Sequence, residues 1–292
     1  MNVMNMVTPP PDLAAISALQ SKLVSALRPV LPEHALLWEP EDTIPYECDG
    51  LAAYRRMPLA VALPETEEQV AQILKICFAM EIPVVPRGSG TGLSGGAMPL
   101  SQGLVLSLAK LKKILSIDPF TRTAVVQPGV RNLAISEAVS HLGLYYAPDP
   151  SSQIACSIGG NVNENSGGVH CLKYGLTLHN VLRVRGVLMN GEIVEFGSLA
   201  PDSPGLDLLA IMMGSEGMLA VVTEVTVKLV AKPKLARVIM ASFDDIEKGG
   251  NAVAAIIAAG IIPAGLEMMD KATTRAVEEF VHAGYDLDAE AI

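Results

Sequence analysis

The sequence predicts an α+β fold of two lobes with a smaller α+β unit behind them. Three observations carry that expectation. A strand–helix–strand unit over residues 60–86 runs directly into a glycine-rich loop. A strand-dense stretch follows from about residue 114 to 229, with a hairpin signal at Asn190-Gly191. Beyond Lys232-Pro233-Lys234 the pattern changes to strand, helix, strand, helix.

Taken in order, Leu13, Ile16, Leu19, Leu23 and Leu27 recur at helical spacing behind Asp12, a candidate N-cap, and predict an amphipathic helix over 12–28. Ala60-Val61-Ala62-Leu63 reads as a short strand, and Thr66 caps a helix from 67 to 80 with Val70, Ile73, Leu74 and Cys77 on its apolar face. Pro83 to Pro86 is the next strand, which puts the glycine loop at a strand's carboxyl end, where α/β sheets place ligands. Strands over 114–117 and 123–127 flank Asp118-Pro119, and a helix covers 132–141. Strands over 181–189 and 192–196 meet at Asn190-Gly191, a type I′ signal, and 221–229 is a further strand. The last unit is strand 236–243, helix 245–259, strand 261–269 and helix 271–282, an order that supplies about half of a ferredoxin-like cap. The division that follows is 1–55 as a helical lead-in, 56–234 as the main domain and 235–292 as a partial cap.

Composition narrows the function. Half of the 292 residues are hydrophobic and 18% are charged, as in a globular chain. A net charge of −10 argues against nucleic acid or an anionic membrane as the main partner, since both require clustered Lys and Arg. Cys48, Cys77, Cys156 and Cys171 have no C-x-x-C spacing and read as free thiols of a reducing cytosol. The five histidines show no metal-ligand spacing, so no metal site is expected. The opening Met1-Asn2-Val3-Met4-Asn5-Met6-Val7 lacks the basic and apolar regions of a secretory signal. The uncharged run over 249–266 contains Pro263 and four glycines and does not read as a membrane span.

Three segments carry the chemistry. In the first, Gly88, Gly90, Gly92, Gly95 and Gly96 fall within nine residues. Glycine leaves no Cβ, so successive N–H groups can converge on one anion. Gly90 to Gly95 satisfies the letter of G-x-G-x-x-G, but Pro99, Gly103 and a strand-like run follow where a Rossmann fold needs a helix. Arg87 is a candidate to neutralise phosphate charge. The second segment, residues 147–168, reads as a turn entering a helical stretch rich in amide and hydroxyl side chains. The third is Met213 to Ala220 ahead of the 221–229 strand. His170 is the one histidine placed near these segments, with a structural hydrogen bond to backbone as its alternative role.

In this order the three segments resemble the FAD-binding domain of the vanillyl-alcohol oxidase/p-cresol methylhydroxylase family, and within it the glycolate-oxidising flavoprotein subunits of bacteria. The runs Ile44 to Gly50, Val126 to Ile135, Tyr145 to Cys156, Gly168 to Gly175 and Ile262 to Asp270 follow that pattern. The resemblance implies FAD as cofactor, held by Pro86, Arg87, Gly88, Ser89, Gly90, Thr91 and Gly92 around the pyrophosphate. It implies Asp149, Pro150, Ser151, Ser152, Gln153, Ile154, Ala155, Gly159, Gly160, Val162, Asn163, Glu164 and Asn165 along the flavin and ribityl chain. Gly214, Ser215, Glu216, Gly217, Met218, Leu219 and Ala220 form the third cofactor segment. Covalent relatives often carry a histidine in the first loop; here Ser89 and Gly90 stand there, which implies non-covalent FAD. The resemblance further implies oxidation of a small 2-hydroxy acid, glycolate to glyoxylate, with D-lactate or D-2-hydroxyglutarate as alternative substrates. A non-catalytic flavin-carrying assembly subunit is the rival reading. Implied partners are a second flavoprotein subunit and an iron–sulfur subunit, in the cytoplasm or, through those partners, at the inner face of the membrane. In relatives the substrate-side arginines and histidines belong to a later segment of the cap. Catalytic residues are therefore unassigned, and the 292 residues are expected to bind flavin without turning over substrate.

Overall fold

The computed structural model describes residues 13–200 and 205–292; the N-cap assigned to Asp12 lies outside them. The first lobe runs α1 (Leu13–Leu27), β1 (Leu36–Leu37), α2 (Pro40–Thr43), β2 (Ala60–Ala62), α3 (Glu67–Ala79), β3 (Val84–Arg87) and β4 (Leu104–Ser107). Its sheet has the order β1-β2-β4-β3, with β2, β4 and β3 parallel and β1 antiparallel at the edge. Parallel strands covered on both faces need apolar side chains at every position, and β2 and β4 are buried throughout. Thr66 caps α3 by accepting from Gln69 N at 3.2 Å. Val70, Ile73, Leu74 and Cys77 then face the same core as Leu23 and Leu27 of α1.

The second lobe contains β5 (Ile114–Asp118), β6 (Thr123–Val126), α4 (Asn132–Val139), β7 (Leu144–Tyr145), α5 (Ile158–Glu164), α6 (Cys171–Tyr174), β8 (Val181–Val187), β9 (Ile193–Gly197), α7 (Leu208–Met212), β10 (Val221–Lys228) and β11 (Val230–Ala231). An antiparallel sheet, β5-β6-β10-β8-β9, carries α4 and α5 over a core that includes Val126, Ile135, Ile158, Val162, Val184 and Val225. β7 and β11 pair separately. The predicted helix over 132–141 stops at Val139, and a 3-10 turn leads to Gly143 in the left-handed region at φ 67°. The β8–β9 connection also differs from expectation. Gly191 alone has positive φ, at 80°, while a type I′ turn would need it at Asn190 too. Gly191 N donates to Leu188 O and Leu188 N to Glu192 O, which makes a three-residue loop with glycine in the left-handed position.

The lobes are joined through α3. Glu67, in its first turn, receives Arg185 of β8 and Thr223 of β10. Gly191 sits against Lys75 and the Ala71 carbonyl, where a Cβ would collide.

In the third unit, α8 (Ile246–Ala258) and α9 (Lys271–Val281) form where the sequence places them, capped by Asp245 and Asp270. The strands expected over 236–243 and 261–269 do not form. An extended segment becomes a strand only where a neighbour takes its N–H and C=O groups. Among the described residues only the 289–292 run comes alongside, through single bridges of Ala291 to Phe243 and Asp270. Val238 and Ile239 are consequently 94% and 92% exposed.

Candidate cofactor site

The first loop leaves β3 at Arg87 and is shaped by that residue. The Arg87 guanidinium donates from Nη1 to Cys48 O at 2.7 Å and Ala97 O at 3.4 Å, and lies 5.6 Å over the Tyr46 ring. The residue is buried, and burial pulls its pKa down against the opposing charge of Asp49. The expected role as a phosphate-neutralising cation is corrected: the guanidinium faces the carbonyls of Cys48 and of Ala97 in its own loop, and Arg87 does not line the cleft. Gly90 and Gly95 adopt φ of 69° and 78°, and a Cβ on Gly90 would strike the Arg87 guanidinium. Asp49 ties the other side, accepting from Leu51 N at 2.9 Å and Ala97 N at 3.4 Å.

The second segment enters α5. Buried Asn132 donates from Nδ2 to Pro148 O and to Asn161 Oδ1, and Asn161 reaches Cys156 Sγ, so the turn is braced from both sides. Gly159 lets α5 press on Pro128, and Gly88 leaves room for Ser157 Oγ, where a Cβ would collide. The third segment docks on the end of α5: Gly214 N donates to Val162 O and Glu216 N to Asn163 O, each at 2.9 Å. Glu216 holds φ at 52°, and Gly217, at 76°, packs against Pro86. Non-glycine residues held at positive φ cluster at functional sites; Asn165 and Glu216 are two such residues here.

These segments line one shared, open cleft. Of the expected residues, Pro86, Gly88, Ser89, Gly90, Thr91, Gly92, Ser152, Gly160, Asn163, Glu164 and Glu216 line it. Others stand behind the lining. Val162 and Ala220 are core, Asn165 Oδ1 accepts from Leu178 N at 3.0 Å, and Asp149 pairs with His170. Ile154 and Met218 face outward, 65% and 82% exposed. Gly96, Ala97, Cys156, Ser157, Asn161 and Ser166 also line the cleft, though none was among the residues implied to hold FAD. Gly96 belongs to the same glycine run, and Cys156-Ser157 bridges two expected segments, so continuity of the runs was the available signal.

The lining suits FAD. Ser157 Oγ and Asn163 Oδ1 are buried without a hydrogen-bond partner, and buried polar atoms left so in the protein call for a ligand's groups. At Gly92 a Cβ would meet only Glu164 Oε1, at 3.9 Å, so that glycine opens to the cleft. Glu164 and Glu216 converge on Gly96. Burial, then the charges of Glu216 and Asp49, push the Glu164 carboxyl above its usual range.

His170 pairs with a side chain rather than with backbone: its Nδ1 lies 2.6 Å from Asp149 Oδ2, and its own N–H donates to Asp149 Oδ1 at 3.2 Å. The Tyr174 ring lies beside it, edge-on to Tyr145. Gly265 of the third unit packs on the neighbouring Val169. Among the described residues no cluster of His, Cys, Asp or Glu could hold a metal, and no helix is long and apolar enough to cross a membrane.

Comparison with known proteins places the chain in a family. Residues 58–197 match the FAD binding domain family, and residues 232–292 match the C-terminal domain of FAD linked oxidases. A glycolate oxidase subunit (GlcD) of Escherichia coli is 62% identical over 273 residues, covering 94% of this chain and 55% of its own length. The GlcD subunit of Bacillus subtilis is 45% identical over 248 residues, 85% of this chain and 53% of its own. This chain thus spans about half the length of these relatives. A D-2-hydroxyglutarate dehydrogenase of Xanthomonas citri is 34% identical over 89% of the chain and 55% of its own length. Among solved structures, substrate-bound p-cresol methylhydroxylase superposes with a TM-score of 0.69 at 25% identity, covering 82% of this chain and 49% of its own. An alkyldihydroxyacetonephosphate synthase shares the fold, with a TM-score of 0.78 at 20% identity over 100% of this chain and 57% of its own. The α+β fold is the FAD-binding fold of the p-cresol methylhydroxylase type, and the chain belongs to the FAD-linked oxidase family, with FAD as its cofactor.

Proposed function

We propose that this chain is the FAD-binding part of a glycolate oxidase flavoprotein subunit, which oxidises glycolate to glyoxylate and passes the electrons to an acceptor. The observation that carries the reading is the 62% identity to a glycolate oxidase subunit along 94% of the chain. The lower identity to the D-2-hydroxyglutarate dehydrogenase, 34%, makes that substrate the second choice. FAD when bound supplies the two-electron acceptor for the substrate C–H hydride. The chain's own residues bind and orient it: Gly88 to Gly92 cradle the pyrophosphate with backbone N–H groups, and Ser157 and Asn163 hold polar edges of the cofactor. Non-covalent attachment follows from Ser89 and Gly90 in place of a histidine. The division into a lead-in to residue 55, an FAD domain to 234 and a cap from 235 belongs to the same proposal.

A 2-hydroxy acid also needs a cation for its carboxylate and a base for its hydroxyl proton. No lysine, arginine or histidine lines the described cleft, which favours a flavin carrier completed by other segments or subunits. A second flavoprotein subunit and an iron–sulfur subunit, in the cytoplasm or at the inner membrane face, complete the proposed assembly. The test is to load the purified chain with FAD, release the flavin with acid, and follow its absorbance when glycolate is added. Flavin that stays with the acid-precipitated protein contradicts non-covalent binding. Rapid bleaching by glycolate without partners contradicts the carrier reading.

A further inference from the structure

The wall of the cleft that faces Gly96 carries charge of the wrong sign for an anionic cofactor. A Cβ on Gly96 would sit 3.2 Å from Glu164 Oε1 and 3.7 Å from Glu216 Oε2, so two carboxylates converge over one glycine of the cradle loop. Asp49 adds a third negative charge from the segment behind the loop. The nearest guanidinium, Arg87, is turned to the Cys48 and Ala97 carbonyls. No lysine, arginine or histidine lines the cleft among the described residues. Ser157, 3% exposed and with an unpaired Oγ, marks the same cleft as one built for a polar ligand.

On the reading that FAD occupies this cleft, we propose that FAD binds with uptake of one proton onto Glu164, beside Glu216, so that the cofactor is held more tightly in mild acid than in base. A like charge held close by makes a second carboxylate harder to keep ionised, and here Glu216 acts so on Glu164. A pyrophosphate brought beside them adds to that repulsion. Glu164 is the group already biased toward its neutral form, by burial first, then by Glu216 and Asp49. The proton comes from solvent and adds to a Glu164 oxygen; no bond breaks and no electron moves. Protonation converts a repelling acceptor into a neutral group that can donate a hydrogen bond.

The test is calorimetric titration of FAD into the apo chain from mildly acidic to mildly alkaline pH, in phosphate and in Tris. These buffers differ in ionisation heat, so the difference in apparent enthalpy counts protons. The expected result is uptake of about one proton, with Kd weakening about tenfold per pH unit on the alkaline limb. Glu164→Gln, with its fold checked by circular dichroism, removes both effects and binds FAD more tightly than the parent in base. Glu216→Gln reduces the proton uptake, because it removes one of the charges that repel an ionised Glu164. A pH-independent Kd without buffer dependence overturns the proposal, as does full proton uptake in Glu164→Gln. Binding that requires Mg²⁺ instead of a proton overturns it as well. Absence of FAD binding at every pH overturns the cofactor reading of the cleft itself, and this proposal with it.

Discussion

Glu67 and Arg185 hold the two lobes together. The Glu67 carboxylate, in the first turn of α3, accepts from Arg185 Nε at 3.0 and 3.1 Å and from Nη2 at 2.9 Å. Thr223 Oγ1 donates to the same carboxylate at 2.5 Å. Arg185 Nη1 is occupied in turn by Glu195 of β9, at 2.9 Å. A forked, charge-assisted contact fixes orientation as well as distance. Its position at a helix N-terminus also suits a negative charge.

Glu67→Ala is therefore expected to destabilise the chain by about 2 kcal/mol, the range for hydrogen bonds to charged groups. Urea denaturation gives the comparison. A loss below a few tenths would mean that the pair is only a solvated surface contact.

Replacing Gly92 separates the cradle from the fold. Gly92 is not among the glycines with positive φ, so a side chain there would act by filling the open space in front of it rather than by backbone strain. Gly92→Val should leave the melting temperature near that of the parent and weaken FAD binding at least about tenfold, since β-branched methyls enter the ligand's volume. Gly217→Ala should do the reverse first. With φ at 76° and Pro86 in the way, it is expected to cost about 1–3 kcal/mol of stability even without cofactor.

Arg87→Met removes the guanidinium that binds Cys48 O and Ala97 O. The expected outcome is faster protease cleavage within residues 88–97 and loss of FAD binding as a consequence. Arg87→Lys should rescue poorly, because an ammonium lacks the planar fork. Full rescue by lysine would restore the phosphate-charge role that the geometry denies.

Thiol reactivity should follow burial. Cys77 is fully buried, and burial pushes its thiol up to about 12. Alkylation should therefore reach the half-buried Cys48 and Cys171 while Cys77 stays unlabelled even at pH values near 9. Mass spectrometry of partially labelled protein reads this directly. Cys156, which lines the cleft, should gain further protection when FAD is added.

Without cofactor, the raised Glu164 pKa predicts the sign of a pH effect on stability. A carboxyl that binds its proton more tightly when folded stabilises fully below its unfolded pKa, and that contribution is lost as pH rises through the folded value. Glu164→Gln should therefore match the parent in acid, be the more stable of the two at neutral pH, and show a shallower decline between them. A decline in Glu164→Gln as steep as the parent's would assign the slope to other carboxylates.

The sequence made the first lobe legible because its signals are local. Thr66 with Gln69, the Val70–Cys77 face and the buried 60–62 run each follow from spacing alone. The glycine run and the Ser/Asn-rich turn likewise marked the cleft before any contact was known. What escaped was set by distant residues. Arg87 looked like a phosphate ligand because nothing local reveals that Cys48 and Ala97 carbonyls claim it. The 236–243 and 261–269 runs had strand-like sequences, yet a ladder depends on a neighbour that spacing cannot supply. The loop at Asn190-Gly191 took its shape from docking on Lys75 and Ala71 as much as from its own residues.

The inward turn of Arg87 decides which anions this protein ignores. A cleft walled by neutral backbone and two carboxylates offers inorganic phosphate, free nucleotides and carboxylic acids no long-range attraction, and long-range attraction is what a basic patch offers every anion alike. Recognition then depends on a molecule long enough to touch all three segments at once, from the 88–97 loop past Ser157 to Glu216. Raising the ionic strength should accordingly not weaken cofactor binding, since the charge it screens is a repulsion between the pyrophosphate and the two carboxylates.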